Sequence, residues 1–249
     1  MNTLVNQMLG RVSQQCVFTL VDIGSMGGVE REWMGVADQI RIVGFEPDDR
    51  EFVKLESSAS RLYLNIALHS ESADLKFYVS REAGKSSMYR PNWDLVKYFP
   101  RSERMETVRE VVIPKNRVMT LDATIQRNAI SDVDFLKIDT QGSELAILRG
   151  ADECLKRWVV GVKVEVEFLE IYQKQPLFTD VDRFMRTRGF NLFDLKRYYW
   201  KRSNRTRAIG KGQLIFADAL YFRSLESFLS LLKGMDERYI ADKVLKFVS

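Results

Sequence analysis

The sequence predicts an α/β fold: one domain built on a mostly parallel sheet, with helices on both faces and an antiparallel hairpin at one edge. Three observations lead there. Short apolar runs alternate with segments of helical periodicity, most of the runs end in Asp, Glu or Gly, and the last two runs are joined by a basic turn instead of a helix. For a chain of 249 residues a single domain is the default, divided into a lead-in (1–17), a core (18–223) and a helical tail (224–249).

The elements follow in order. "FTLVDIG" (18–24) is a buried strand closed by Asp and Gly, and "VEREWMGVADQI" then places Val29, Trp33, Ala37 and Ile40 at helical spacing. "IRIVGFEPDD" is a second strand, closed by Glu46 and Pro47 and followed by a helix carrying Phe52 and Leu55. "RLYLNIAL" (61–68) reads as a third. In "ADLKFYVS" the alternation of Leu75, Phe77 and Val79 marks a strand with one wet side. Residues 81–107 have weak periodicity with Gly84, Pro91 and Pro100, so they read as a long loop with some helix, a length often tied to function. The parallel rhythm returns with "VDFLKID", one helix over "SELAILRGADECL" with Leu145, Leu148 and Leu155 on a face, and the strand "VVGVKVEVEF". In "FTDVDRFMRTRG", Thr179 and Asp182 form the expected capping pair and Gly189 the stop. "FNLFDLKRYYW" and "GQLIFADALYFR" make the edge hairpin, and the tail is helical.

Composition excludes several classes. No window holds the roughly 18 consecutive apolar residues of a membrane span, because Lys163, Glu165 and Glu167 interrupt the richest one. "MNTLVNQMLGRVSQQC" lacks the basic start and cleavage site of a secretory signal, and Cys16 and Cys154 form no repeated spacing. A cytoplasmic location is therefore the expectation. A net charge of +4 allows an acidic partner without requiring one.

In open α/β sheets ligands bind outside the carboxyl ends of the strands. Here those ends carry Asp22, Glu46, Asn65, Asp139 and the pair Glu165 and Glu167, which points to a cationic or hydroxyl-rich ligand. The first turn reads D-x-G-x-x-G from Asp22 to Gly27, with Gly24 and Gly27 allowing a tight turn and close approach. A carboxylate at Asp22 would repel a pyrophosphate, so S-adenosylmethionine, which has an ammonium and a sulfonium but no phosphate, fits better than NAD. Glu46 follows Gly24 by 22 residues, near the spacing at which an acid accepts both ribose hydroxyls of a nucleotide.

These residues resemble the FkbM-type S-adenosylmethionine-dependent methyltransferases. The likeness is carried by "VDIGSMGG" with "VGFEPD", by "NIALHSESADLKFYVS" with the serines of "GKSSMYRPN", and most specifically by "TLDATI" with "DVDFLKIDTQGSELAILRGA". "VEVEFLEIYQKQPLFTDVDRFMRTRGFNLFDL" and "GQLIFADALYF" look like one branch of that family, so the resemblance spans roughly residues 18–223. It implies a class I methyltransferase, Rossmann-like sheet and methylation of a hydroxyl on a sugar, glycan or polyketide-type product. The cofactor-binding residues it implies are Asp22, Gly24, Ser25, Gly27, Glu46, Asn65 and Ala67. Two positions depart from the family pattern: Met26 replaces an Asn, and Gln141 replaces an acid two residues after "KID".

An alcohol becomes a good nucleophile only as its proton leaves, so a carboxylate beside it is expected to accept that proton. Asp139 is the first choice, with Glu165 and Glu167 behind it. The bland alternatives are that Asp139 caps the helix starting near Ser143, that Glu144 is an ordinary helix-dipole partner, and that Glu165 and Glu167 pair with arginines from the loops. His69 reads as a surface residue, Ser86 and Ser87 as turn residues or acceptor contacts, and Cys154 as core. No paired histidines mark a metal site, although a divalent ion bridging Asp139 to the acceptor stays open.

Between Arg183 and Lys211 ten Lys and Arg stand against the single acid Asp194, beside Tyr198, Tyr199 and Trp200. Two readings stand side by side: a solvated edge whose charge maintains solubility, or, since cations accompany aromatic faces, a contact surface for an anionic small-molecule or glycan acceptor through Arg202, Arg205 and Arg207. Nucleic acid is disfavoured: "DTQG" stands where amino-group methylases of bases carry Pro-Pro and an aromatic, and no Pro-Cys nucleophile is present. The rivals left are a methylase of RNA ribose and a module that binds a nucleotide without turnover.

Overall fold

A computed structural model describes residues 18–37, 40–130, 132–203 and 210–248. The strands are β1 (Phe18–Ile23), β2 (Ile40–Phe45), β3 (Arg61–Leu64), β4 (Ala67–Leu68), β5 (Leu75–Ser80), β6 (Thr107–Ile113), β7 (Val118–Met119), β8 (Phe135–Ile138), β9 (Gly161–Glu167), β10 (Phe190–Trp200) and β11 (Gln213–Arg223). Seven of them form one sheet in the order β3-β2-β1-β8-β9-β11-β10. Strands β3 to β9 of that order run parallel, and β11 is antiparallel to both its neighbours. The chain steps outward from β1 to β3 and then returns to add β8 on the other side of β1. A crevice for a ligand opens at that reversal, outside the carboxyl ends of the strands.

One sheet face, with Val21, Val43, Leu136 and Val164, packs on the helices Leu121–Arg127, Glu144–Arg149, Asp152–Arg157 and Phe178–Thr187. Each side chain fully buried there contributes about 1.5–3 kcal/mol. The other face is divided along the strands. Leu20, Ile42 and Phe135 make an apolar patch with Trp33 and Phe222 near the strand starts, whereas Lys137, Lys163, Glu165 and Asp218 carry charge toward the ends.

Four local expectations are corrected. The helix expected over 29–40 is a series of turns in 31–37, with N–H groups of Trp33, Met34 and Val36 bonded three residues back. Glu30 and Glu32 both reach Lys163, at 2.9 and 2.7 Å, and residues two apart on a helix do not share a face, so these contacts and a helix exclude each other. The third strand stops at Leu64, because Asn65 turns to donate to the Glu46 carbonyl, and Ala67–Leu68 pair instead with β7. The single helix over 143–155 breaks between Arg149 and Asp152. At Gly150 a side-chain Cβ would lie 2.2 Å from the His69 carbonyl oxygen, and its own carbonyl accepts from Asp122 N–H instead of continuing one helix. Finally, the helix Phe178–Thr187 is capped by Asp180, whose carboxylate accepts from Leu177 N–H at 3.0 Å; Asp182 instead pairs with Arg186.

The long segment 81–107 holds short helical turns and packs down as a second core, with Val96, Phe99 and Met105 against Tyr172 and Ile215. It roofs the carboxyl ends of the strands together with the β5–β6 hairpin. At the opposite end of the sheet the helix Glu237–Val248 buries Lys243 against Asp134 at 2.5 Å and Asp132 at 2.8 Å. Cys154 lies in the main core, as its apolar helix predicts. Cys16 lies outside the described residues. No helix among the described residues is long and apolar enough to cross a membrane.

Candidate active site

The turn after β1 is closed by its own backbone. N–H groups of Gly24 and Ser25 both donate to the Phe45 carbonyl at 3.0 Å, and the Ser25 hydroxyl donates to the Asp22 carbonyl at 2.7 Å while accepting from Phe45 N–H. Gly24 has φ +82°, and a Cβ on it would lie 2.0 Å from the Asp139 carbonyl oxygen, so only glycine lets β1 and β8 end this close together. With those two amides already engaged, neither is free to bind a phosphate. Beneath it Asp22 lies 3.0 Å from Lys137 Nζ, which also donates to the Gly24 carbonyl. Burial pushes the Asp22 carboxyl up to about 6, against the pull of Lys137.

A cavity opens beside this turn. Gly24, Glu46, Asp139 and Gln141 line it with polar atoms, while Phe45, Leu68, Phe77 and Met88 supply an apolar wall. Glu46 accepts the Asp48 N–H at 2.8 Å, and burial pushes its carboxyl up to about 7. Asp48 in turn grips Arg50, whose guanidinium reaches the Ser86 hydroxyl and the Ser80 carbonyl and so ties the roof to the end of β2. Met26, 46% exposed, joins the rim.

The expected cofactor residues thus divide. Gly24 and Glu46 line the cavity. Asp22, Ser25 and Asn65 stand behind it and hold its backbone. Gly27 faces a different depression, and the Ala67 side chain is buried with Phe77 and Val118 between two cavity-lining neighbours, Ile66 and Leu68.

Asp139 is half-buried and lines this cavity and a second one, formed with Lys137, Lys163, Glu165 and Asp218. It does not cap the helix that begins at Glu144, whose N-cap is Ser143. Glu144 is no surface dipole partner either. It is buried, accepts from Thr140 N–H and hydroxyl at 2.9 Å and from Gly142 N–H at 3.2 Å, and so holds the turn in shape; burial pushes it to about 7. Glu165 takes Gln141, not an arginine, as its partner, at 2.6 Å. Burial, then the nearby Asp139, drives its carboxyl well above the carboxylate range. Glu167 is fully buried, lines neither cavity, and leaves Oε1 without a hydrogen-bond partner among the described residues. Burial raises its carboxyl well above the carboxylate range, and its place outside both cavities takes it out of reach of an acceptor.

Of the roof serines, Ser86 lines the cavity and Ser87 donates to the Gln141 carbonyl at 2.6 Å. His69 is half-buried away from both cavities, beside Ser70. In the edge hairpin Tyr198 stacks on Phe216 at 4.5 Å and donates to Asp218, and Trp200 packs edge-on against Phe99, so these rings already have protein partners. Arg202 lies over Tyr98 and Phe99. Arg205 and Arg207 lie outside the described residues.

Lys137, Glu30 and Tyr172 were not foreseen as site residues. For Lys137 a signal existed, a lysine inside an otherwise apolar strand next to Asp139, since a buried cation requires a partner. Glu30 and Tyr172 come from segments whose position depends on the tertiary fold. Among the described residues no three His, Cys, Asp or Glu side chains are grouped to hold a metal ion.

The model of one family, described as the methyltransferase FkbM domain, matches residues 22–192. No curated protein matches the chain. Among solved structures it is similar to methyltransferase FkbM from Methylobacillus flagellatus KT, at 16% identity over 83% of this chain and 43% of that one, with a TM-score of 0.42. It is also similar to magnesium protoporphyrin IX methyltransferase from Synechocystis PCC 6803, at 7% identity, 89% and 78% coverage and a TM-score of 0.40. Precorrin-6y C5,15-methyltransferase from Geobacter metallireducens GS-15 gives 12% identity, 88% and 87% coverage and a TM-score of 0.40.

Proposed function

The chain belongs to the FkbM methyltransferase domain family, and from that premise we propose that it transfers a methyl group from S-adenosylmethionine to a hydroxyl of a small-molecule or glycan acceptor. One observation carries the reading: Asp139 stands with Glu30 and Lys137 on the wall common to two cavities, and of the two carboxylates it is the one at a strand's carboxyl end, facing both a cofactor side and an acceptor side. The cofactor side fits a nucleoside without phosphates. Its Gly24 and Ser25 amides are taken by Phe45, its lining carries the acids Glu46, Asp48 and Glu51, which would repel a phosphate, and one wall is apolar.

When bound, the cofactor supplies an electrophilic methyl on a sulfonium. The residues of the chain do the rest. Glu46 accepts ribose hydroxyls, the closed Gly24 turn sets how near the ligand approaches, and the roof tied down by Arg50 excludes water. Asp139 accepts the proton of the acceptor hydroxyl. Holding the acceptor in line with the methyl group supplies much of the rate, since effective molarities for well-oriented groups reach about 10⁵ M or more. Glu165 supports Asp139 from behind.

The test begins with binding. S-adenosylmethionine or its demethylated product should raise the melting temperature while NAD does not. Glu46→Ala should weaken binding by roughly 1.5–3 kcal/mol, the scale of hydrogen bonds to a charged group. Because the ionised carboxylate accepts the hydroxyls and Glu46 titrates at about 7, affinity should rise between pH 6 and pH 8 and lose that slope in the variant. Unchanged affinity in Glu46→Ala sinks the cofactor assignment. With methyl-labelled cofactor and pooled glycan, small-molecule or RNA fractions, label should appear in a glycan or small-molecule fraction. Label only in RNA would favour the ribose reading, and binding without label in any fraction would leave a non-catalytic module.

A further inference from the structure

Gln141 stands where the family pattern has an acid, and its surroundings give that departure a purpose. The residue is 6% exposed and holds φ +58°, a left-handed conformation uncommon for any residue but glycine. Four groups from four parts of the chain meet its amide. Nε2 donates to Glu165 Oε1 at 2.6 Å and to Asp139 Oδ1 at 3.1 Å. Oε1 accepts from Lys85 Nζ at 3.2 Å and lies 3.0 Å from the Tyr172 hydroxyl. Charge dictates this orientation, because the flipped amide would set its oxygen between two carboxyl groups and its NH₂ against an ammonium.

We propose that Gln141 is the positioning residue of the Asp139–Glu165 pair: its NH₂ group bridges the two carboxyl groups and fixes where Asp139 stands on the shared cavity wall. The catalytic consequence rests on the methyl-transfer reading; the bridge itself does not. A glutamate at 141 would, when ionised, have no hydrogen to give either carboxyl group and add a charge to an already acidic cluster, and when protonated it would have one hydrogen where the amide has two. Facing the pair are Lys85 from the roof, Lys137 on β8 with Asp22 behind, Glu30 from the turns after β1, Glu144 from the following helix, Lys163 and Glu167 from β9, Asp218 from β11, and Tyr172. Lys85, Lys137 and Lys163 are the cations of that set, and only Lys85 meets the Gln141 amide, so the amide supplies donation that another acid would remove.

The test uses two variants of the full chain. Gln141→Gly removes the amide while suiting the left-handed backbone, and Gln141→Glu keeps the shape but not the donor. Side-chain carboxyl ¹³C resonances, assigned through Asp139→Asn and Glu165→Gln, are compared at one pH. Losing the bridging NH₂ group should move both the Asp139 and the Glu165 resonance in both variants. A residue that merely filled space would leave the two resonances in place, and unmoved resonances in Gln141→Gly overturn the proposal. With the fraction that accepts label from wild-type enzyme, turnover should fall about 10- to 100-fold in both variants while affinity for the demethylated cofactor holds. A fall in that affinity with normal turnover also overturns it. If wild-type enzyme labels no fraction, the methyl-transfer reading fails, and the ¹³C resonances still decide whether Gln141 bridges the pair.

Discussion

Asp139→Asn is expected to bind the cofactor as the wild type does and to turn over about 10² to 10⁴ times more slowly. The substitution keeps the size of the side chain and an oxygen able to accept from Gln141, and it removes only the capacity to take a proton. The backbone role of Asp139, donating its N–H to the Ile23 carbonyl at 3.0 Å, is untouched. Because the following helix is capped at Ser143, the fold should survive, with stability within about 1 kcal/mol of the wild type. Rapid-quench measurement of label transfer beside calorimetric cofactor binding separates the outcomes. Normal turnover rules out Asp139 as base and moves attention to Glu165, the carboxyl group of the second cavity that shares the Gln141 amide with it. Loss of folding would mean that the carboxylate is needed to hold the β8 end against Lys137.

Lys243→Met should cost about 3–5 kcal/mol of stability without touching cofactor affinity. The lysine is fully buried, bound to Asp134 at 2.5 Å, Asp132 at 2.8 Å and the Trp158 carbonyl at 3.1 Å. Asp134 is itself fully buried and also accepts Thr19 N–H at 2.8 Å, which fixes the start of β1 against the start of β8. Removing the cation leaves Lys246, at 3.0 Å from Asp134, to serve two carboxylates alone. An uncompensated buried charge is far costlier than a lost surface pair, for which 0–1 kcal/mol is usual. A chain of this size should lose roughly 6–20 °C of melting temperature. Adding Asp134→Asn should restore part of the loss by removing the stranded charge. A loss under about 1 kcal/mol in urea melts would show that the network is solvated and does not clamp the tail. Since it lies at the amino ends of the strands and the cavities at the carboxyl ends, the cofactor affinity of the refolded variant is the internal control.

The sequence by itself determined the parts of this protein that depend on local pattern. Period-two and period-3.6 apolar spacing placed the strands of the main sheet and most of its helices, the hairpin strands followed from two long runs around a basic turn, and acids at the ends of β1, β2 and β8 marked the end of the sheet where the cavities open. Those signals are local because burial acts on each segment's own face. Contacts between distant segments were decided only by the tertiary structure. Glu30 and Glu32 stand in turns, not the expected helix, and meet Lys163 on a strand more than a hundred residues away. Gly150 sits at the break of another helix, where the His69 carbonyl leaves no room for a side chain. Glu165 and Glu167 are identical in pattern, yet one meets Gln141 at a cavity wall and the other is sealed with its Oε1 unpartnered among the described residues. Ion pairing and hydrogen bonding select partners by geometry over a few ångströms, and chain spacing carries no record of which distant side chain will arrive there.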